Sequence, residues 1–362
     1  MERSSQASSQ AANGPANASN VLRLADVGEA GLLERLFRFC DRAVVGDDAA
    51  VLGWAADRSL VVTTDVLVDG VHFSDRTTPP RAIGWRSVAA NLSDLAAMGA
   101  SPVAITVGLS LPGTVAIDWI EALYGGMADC LAQFGGAIVG GDVTRSPVAT
   151  VAITAIGAVQ PDRAIRRDAA RPGDAIVVTG AHGASRAGLA VLLGDLPEPL
   201  AEGDRADWIA AHHYPRPRFD AIAALDRLRS GLGDRPVAGM DSSDGLADAV
   251  VQLARASGLA ARLDLDRLPM PPGLAQAVGI ERAIDWTLYG GEDFELVLCL
   301  PPAIAQSFGT DLGGGAAIVG EISAAPPATD GPIAWLQDAQ GQRQPIERSA
   351  AFQHFAPAPP IG

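Results

Sequence analysis

The sequence contains no lysine, because all 27 of its basic residues are arginine. This absence excludes enzymes that form a Schiff base, since those need the lysine amine as a nucleophile. It also excludes a Walker A nucleotide site, whose lysine contacts the phosphates. Any phosphate chemistry in this chain must therefore take its positive charge from arginines and metal ions.

Cysteine is scarce as well, and Cys40, Cys130 and Cys299 lie far apart in apolar surroundings. They have no zinc-binding spacing, and we expect free, buried thiols, as in a reducing compartment. The chain also lacks an apolar run of membrane length and the charged-then-apolar pattern of a signal peptide. These features favour a cytoplasmic protein.

Acidic residues outnumber basic ones, and the net charge of −15 argues against a nucleic-acid partner, because phosphate backbones need a basic surface. A chain of 362 residues with 48% hydrophobic residues can form two domains, each with its own core. We expect a disordered tail over residues 1–19, an N-terminal domain over 20–162 and a C-terminal α/β domain over 163–362.

Hydrophobic periodicity predicts helices alternating with strands, which is typical of an α/β protein. The segment 196–216 follows neither period, and we expect an irregular insertion there. A hairpin is expected near Gln340 and Gly341. The predicted helices lie at about 27–40, 84–99, 119–134, 184–193, 217–230 and 246–254, and the predicted strands at 60–62, 104–111, 137–139, 148–159, 175–179, 294–300 and 316–322.

Small polar residues and acids recur where apolar, strand-like runs end. After residues 60–62, two threonines and Asp65 offer the hard oxygen ligands that Mg²⁺ takes. Comparable clusters hold Asp142 after a Gly-Gly pair, the run 241–244, and Glu292 after a second Gly-Gly pair. Each cluster alone also fits a solvated strand end or a helix cap.

Two further acids fit the same pattern. Asp94 lies on a predicted helix, on a different face from its apolar residues, and Gly99 is suited to cap that helix. The Asp94 carboxylate therefore suits either a solvated stripe or a metal site beside the first strand. Asp48, which follows a glycine, suits either a turn or a metal ligand.

If the scaffold brings these clusters together, six or more carboxylates converge on one site. Like charges at close range need cations between them. Oxygen-only ligands favour magnesium over zinc, and several magnesium ions beside Gly-Gly turns suit polyphosphate chemistry. The residues alone thus predict a magnesium-dependent, ATP-using enzyme outside the P-loop class.

Taken in order, these motifs resemble the thiamine-monophosphate kinase family, within the ATP-binding superfamily of aminoimidazole ribonucleotide synthetase. The resemblance implies that superfamily's two-domain α/β fold, phosphorylation of thiamine monophosphate by ATP, and a homodimer in which N-terminal-domain strands pair across subunits. It rests on G-D-D-A-A at 46–50, T-T-D-V-L-V-D-G-V-H-F at 63–73, N-L-S-D-L-A-A-M-G-A at 91–100, G-G-D-V-T-R at 140–145, D-S-S-D-G-L at 241–246 and G-G-E-D-F-E-L at 290–296.

The resemblance also implies a role for each matching residue. Asp65, Asp142 and Asp244 would be central to catalysis. The substrate would face His72, Glu292 and Phe352. Contacts to ATP would come from Tyr124, Gly141, Asp142, Arg167 and Ser243. Metal ligands would be Asp48, Thr63, Thr64, Asp65, Asp94, Asp142, Asp241 and Asp244.

The family more often has an apolar residue where this chain has Ser242. Two alternatives stay open: another ATP-dependent synthetase like aminoimidazole ribonucleotide synthetase, and a non-catalytic protein that binds metal or nucleotide. Selenophosphate synthetase would need a reactive cysteine and a lysine near the N-terminus. The hydrogenase-maturation relative would need a C-terminal cysteine, whereas this chain ends Pro-Pro-Ile-Gly.

Overall fold

The computed structural model describes residues 21–45, 49–196, 200–324 and 331–346. Three predictions fall outside these ranges: the disordered tail, the metal ligand Asp48 and the substrate contact Phe352. Within the described ranges, no helix is long and apolar enough to cross a membrane. Cys130 and Cys299 are buried free thiols as expected, and Cys40 is a half-buried one.

The first half of the described chain builds a four-stranded sheet in the order β1-β4-β2-β3. Helices α2 and α3 pack on one face of the sheet and bury a core of Ile, Leu and Val side chains, to which α1 contributes Leu32 and Leu36. The elements are α1 (Leu24–Leu36), β1 (Ser59–Val68), α2 (Pro80–Ala97), β2 (Ser101–Leu111), α3 (Ile117–Phe134), β3 (Ile138–Arg145) and β4 (Thr150–Val159).

The second half builds a seven-stranded mixed sheet, order β11-β10-β7-β9-β5-β8-β6, with helices on both faces. The strands are β5 (Ala175–Val178), β6 (Ala238–Asp241), β7 (Leu259–Asp264), β8 (Leu296–Leu300), β9 (Ala317–Ala324), β10 (Ala334–Gln337) and β11 (Arg343–Pro345). The helices are α4 (Ala184–Leu193), α5 (Glu202–His213), α6 (Phe219–Arg227), α7 (Arg229–Leu232), α8 (Leu246–Ala256), α9 (Leu274–Val278), α10 (Ile280–Tyr289) and α11 (Pro302–Leu312).

The structure confirms the predicted α/β class, the helix at 184–193 and the hairpin near Gly341. It corrects the expectation that β1 and β3 end before their acids. Both strands continue, because partners are available for pairing: Asp65 lies opposite Ile153 of β4, and Asp142 lies opposite Gly108 of β2. The acids therefore project from within sheets rather than from strand ends.

The irregular insertion expected over 196–216 is also wrong, because α5 forms there. Trp208 and His212, one helical turn apart, are 2% exposed and pack against α4. Pro215 follows the last turn, where a helix cannot continue. Tertiary burial of two side chains thus creates a helix that the weak apolar pattern did not indicate.

Helices α2 and α3 meet backbone to backbone. A Cβ atom added at Gly126 of α3 would lie 1.8 Å from the Arg81 carbonyl oxygen of α2. One added at Gly84 of α2 would lie 1.8 Å from the Leu123 carbonyl oxygen of α3. Both positions require glycine because only a hydrogen atom fits between the two helices.

We expect Gly126→Ala to destabilise the protein by about 1–3 kcal/mol or more, because overpacking forces the backbones apart. Gly309→Ala is the matched control. Its added Cβ meets nothing within 4 Å in helix α11, so stability should rise by about 0.5–1 kcal/mol. Denaturant unfolding measures both variants, and wild-type stability for Gly126→Ala would contradict the close contact.

Candidate active site

A cavity of about 1360 Å³ opens between the two halves of the chain. Its walls come from β1 and the loop after it, from α2 and α4, and from the loops after β6 and α10. It brings together the predicted site residues Thr64, Asp65, His72, Asp94, Asp241, Ser243, Asp244 and Glu292. Another cavity, of about 860 Å³ beside α1, contains none of the predicted site residues.

Four of the predicted carboxylates gather at one side of this cavity. Burial, and then the negative charges of Asp94 and Asp244, raise the pKa of Asp65 to about 6. Burial and the charges of Asp94 and Asp65 raise the pKa of Asp241 to about 7. Asp65 and Asp241 are therefore close enough to neighbouring carboxylates for the negative charges to repel one another.

The N-L-S-D motif of α2 orients this cluster through three of its four side chains. The Asn91 side-chain oxygen accepts a hydrogen bond from the Asp65 backbone N–H at 3.1 Å. The Ser93 hydroxyl donates to Asp241 at 2.8 Å. Asp94 accepts a hydrogen bond from the Thr63 hydroxyl of β1. The solvated stripe considered for Asp94 is therefore wrong, and its motif connects β1 to β6.

Arg167 lies at the border of the acid cluster, as the resemblance implies for an ATP contact. Burial raises the pKa of Asp94, and the positive charge of Arg167 opposes that rise. The Arg167 guanidinium also donates to the Gln252 side chain at 2.7 Å, and Gln252 donates to Asp248. These two hydrogen bonds hold the exposed Arg167 near the acid cluster through side chains of α8.

The chemistry of the donor set fits magnesium rather than zinc, because it consists of carboxylate and hydroxyl oxygens. Across the described ranges, no three carboxylate, imidazole or thiol groups stand close enough to hold a metal ion by themselves. Magnesium commonly takes one or two carboxylates and completes its shell with water and substrate phosphates. The cluster suits ions that arrive with a polyphosphate.

Among the described residues, five of the predicted carboxylates line the cavity, namely Asp65, Asp94, Asp241, Asp244 and Glu292, and Asp142 does not. Asp142 and Gly141 are exposed on β3, at the opposite edge of the four-stranded sheet from Asp65 on β1. Three strand spacings of ~4.8 Å separate the two edges by about 14 Å. Tyr124 is also away from the cavity, because it is 4% exposed and packs 5.9 Å from the Phe39 ring.

The other side of the cavity carries the two described residues expected to face the substrate. The His72 ring is fixed because its Nδ1 accepts a hydrogen bond from the Val68 N–H at 3.0 Å. Glu292 follows the Gly-Gly pair and has a φ of +58°, and Phe294 has a φ of +53°. Residues other than glycine rarely adopt this left-handed backbone conformation, so strong contacts must hold the loop.

Sequence reasoning missed Arg86, which is 2% exposed on α2 and donates to Glu292 at 2.6 Å. It also missed Arg186, which lines the cavity with its guanidinium 4.7 Å from the centre of the Trp286 ring. The available signal was an arginine among small and apolar residues of a helix. That signal is weak because arginine on a helix is usually solvated.

The neutral His182 contacts the D-S-S-D loop through the Ser242 side chain. His182 Nδ1 lies 3.1 Å from the Gly180 carbonyl oxygen, which can only accept, so this nitrogen carries the proton. Its Nε2 lies 2.9 Å from the Ser242 hydroxyl. Ser242, which replaces the family's more usual apolar residue, therefore has a polar partner. Burial lowers the pKa of His182 to about 4.

The chain matches two family models. The N-terminal domain of AIR synthase related proteins matches residues 46–159, and their C-terminal domain matches residues 171–329. The thiamine-monophosphate kinase of Synechococcus elongatus is 48% identical over 334 residues, which are 92% of this chain and 98% of that protein. The chain belongs to the thiamine-monophosphate kinase family. The Escherichia coli K12 member is 37% identical, over 76% of this chain and 83% of its own length.

Solved structures of the family have the same fold. The crystal structure of thiamine-monophosphate kinase from Stenotrophomonas maltophilia K279a has a TM-score of 0.71 and 34% identity, over 84% of this chain and 95% of that one. AaThiL complexed with AMPPCP and TMP has a TM-score of 0.66 and 28% identity, over 90% and 99%. A hydrogenase maturation protein, HypE, in complex with ATP, at 21% identity and a TM-score of 0.71 over 91% and 97%, is similar in fold alone. The predicted family and two-domain α/β fold are confirmed.

We expect acid to destabilise the protein partly through His182. Its pKa is about 4 when folded and near 6.5 when unfolded, so the unfolded chain binds the proton first. The contribution of His182 to the free energy of unfolding is therefore complete above pH 6.5. It falls by up to about 1.4 kcal/mol per pH unit as the pH drops toward 4.

His182→Gln should remove this pH dependence. We expect the difference in free energy of unfolding between wild type and variant to be constant above pH 7 and to shrink between pH 6.5 and 4.5. Taking the difference cancels the opposing contribution of the buried carboxylates. Parallel curves for the two proteins across this pH range would show that His182 is not the titrating group.

Proposed function

We propose that this protein transfers the terminal phosphoryl group of ATP to the phosphate of thiamine monophosphate. The bond between the β–γ bridging oxygen and the γ-phosphorus breaks, and a substrate phosphate oxygen bonds to that phosphorus, giving ADP and thiamine diphosphate. One observation carries the proposal: a single cavity holds the acid cluster on one side and His72 and Glu292 on the other. Named thiamine-monophosphate kinases among the relatives support it.

Asp65, Asp94, Asp241 and Asp244 would hold magnesium ions, together with Thr63, Thr64 and Asp48. When bound, magnesium would neutralise the phosphates and align them for in-line attack. Burial, and then repulsion by neighbouring carboxylates, raise the pKa values of Asp65 and Asp241, which supports a site built for added positive charge. Arg167 and Ser243 would contact the phosphates of ATP.

The reaction needs no dedicated base. The attacking atom is a phosphate oxygen that is already anionic near neutral pH, so no hydroxyl proton has to be removed. The barrier lies in bringing two polyanions together, which positioning and charge neutralisation address. We therefore propose direct transfer without a phosphorylated enzyme intermediate. The substrate would be held by His72 and Glu292, and by Phe352.

We also propose a homodimer formed through the four-stranded sheet. Strand β1 lies at the edge of this sheet and exposes apolar side chains on one face: Leu60 is 56%, Val62 55% and Val66 45% exposed. A second copy pairing along this surface would remove it from water. The exposed Gly141 and Asp142 at the other edge would then be available to the cavity of the partner.

The free cysteines support a reducing, cytoplasmic location.

Incubation with Mg·ATP and thiamine monophosphate should yield thiamine diphosphate and ADP in equal amounts, measured by chromatography. ADP without thiamine diphosphate would point to a different acceptor, as in a synthetase. No nucleotide turnover by folded, metal-loaded protein would favour a binding protein. A phosphorylated protein isolated on the reaction path would refute direct transfer.

Asp65→Asn should lower kcat by about 10²–10³-fold, the loss expected when one charge-stabilising group is removed. Its melting temperature should stay equal or rise, because the carboxylate is repelled by Asp94 and Asp244. Asp57→Asn, an exposed change on the loop before β1, is the control and should keep wild-type kcat. Retained turnover in Asp65→Asn would reject the metal role.

Val62→Arg should convert the dimer to a monomer, because it places a charge in the centre of the proposed apolar contact. Sedimentation velocity measures the change. Ile280→Arg is the matched control, since Ile280 is 58% exposed at the start of α10, away from this sheet. A wild-type protein that sediments as a monomer, or a Val62→Arg variant that stays dimeric, would contradict the interface.

A further inference from the structure

Arg86 is a charged group buried in the wall of the cavity. Its side chain is 2% exposed, and its guanidinium donates to Glu292 Oε1 at 2.6 Å through Nη2. Its Nη1 donates to the His212 carbonyl oxygen and lies 3.2 Å from His212 Nδ1. A buried charge is stable only when paired and hydrogen-bonded. The Arg86–Glu292 pair therefore has to persist in the folded protein.

The loop that carries Glu292 is fixed at a second point. The carboxylate of Asp293 accepts hydrogen bonds from two backbone N–H groups at the start of α4, at 2.7 and 2.9 Å, one of them from Ser185. The Ser185 hydroxyl lies 3.2 Å from His212 Nδ1, which also faces Arg86. A closed network thus runs from Glu292 through α2, α5 and α4 back to the neighbouring residue.

This network leaves Glu292 a restricted role. One carboxylate oxygen is bound to Arg86, and the side chain is 37% exposed and lines the cavity. The Arg86 charge lies against the carboxylate and offsets it. Glu292 is therefore poorly suited to balance the positive thiazolium ring and well suited to accept one directed hydrogen bond.

Resting on the function proposed above, we propose that Arg86 is a positioning residue that makes Glu292 a hydrogen-bond acceptor for the amino group of the aminopyrimidine ring. Specificity then comes from donor and acceptor pattern rather than from charge. A ligand that presents a carbonyl in place of the amino group puts two acceptors face to face and is rejected.

The test compares thiamine monophosphate with oxythiamine monophosphate, in which a carbonyl replaces the amino group. Both kcat/KM and binding by calorimetry are measured. Wild type should prefer thiamine monophosphate by about 10- to 100-fold, the range for a hydrogen bond to a charged group. Glu292→Gln should reduce or reverse the preference, because an amide can donate to the carbonyl.

Arg86→Met should reduce the same preference while changing KM for the substrate more than kcat, and Arg86→Lys should restore part of it. In the Glu292→Gln background, Arg86→Met should have little further effect on the preference, since the two residues act as one unit. Arg81→Met is the matched control and should keep the wild-type preference. Arg81 is on the same helix as Arg86 and forms an exposed ion pair with Asp129 of α3.

A purely structural role of Arg86 would lower the melting temperature and weaken both ligands equally, which would overturn the proposal. If Arg86→Met does not fold, Arg86→Lys decides: a preference between those of wild type and Glu292→Gln supports the proposal, and the full wild-type preference contradicts it. The two proposals fail separately. Discrimination in binding without turnover would reject the kinase activity and keep the role of Arg86. Equal binding of the two ligands by wild type would reject the role of Arg86 whatever the activity.

Discussion

The packing of α2 is the constraint on which the rest of the structure depends. The helix is buried between the four-stranded sheet, α3 and β6, so its polar side chains must find partners inside the protein. Asn91, Ser93 and Asp94 find them on β1 and β6. Any shift of the helix by one residue would leave these groups unpaired, so the hydrogen bonds specify a single placement. That placement puts carboxylates of two sheets beside one another.

The two sides of the cavity follow opposite electrostatic rules. On one side, burial and neighbouring carboxylates raise the pKa values of Asp65 and Asp241, and their repulsion favours any cation that enters with a polyphosphate. On the other side, the Arg86 guanidinium already compensates Glu292. The same helix supplies Asp94 to the first side and Arg86 to the second, eight residues or about 12 Å apart along its axis. In the function proposed above, charge would attract the phosphates, and directed hydrogen bonds would recognise the rest of the ligand.

The sequence predicted what depends on local pattern and missed what depends on long-range pairing. Asp94 was identified because a carboxylate on a mostly apolar helix is visible in the periodicity alone. The continuation of β1 through Thr63 and Asp65 was missed, because it depends on a partner strand some 90 residues away. The position of Asp142 was missed for a related reason, since strand order is set by topology. Arg86 escaped because its partner lies in the other half of the chain.

The glycine contact between α2 and α3 has a consequence for motion. Because the backbones of α2 and α3 touch without a layer of side chains between them, the two helices cannot move closer together. Closure of the cavity around ATP and a second phosphate would therefore leave the first half of the chain rigid. The change would fall on elements of the second half other than the loop of Glu292, because the buried Arg86–Glu292 pair fixes that loop to α2.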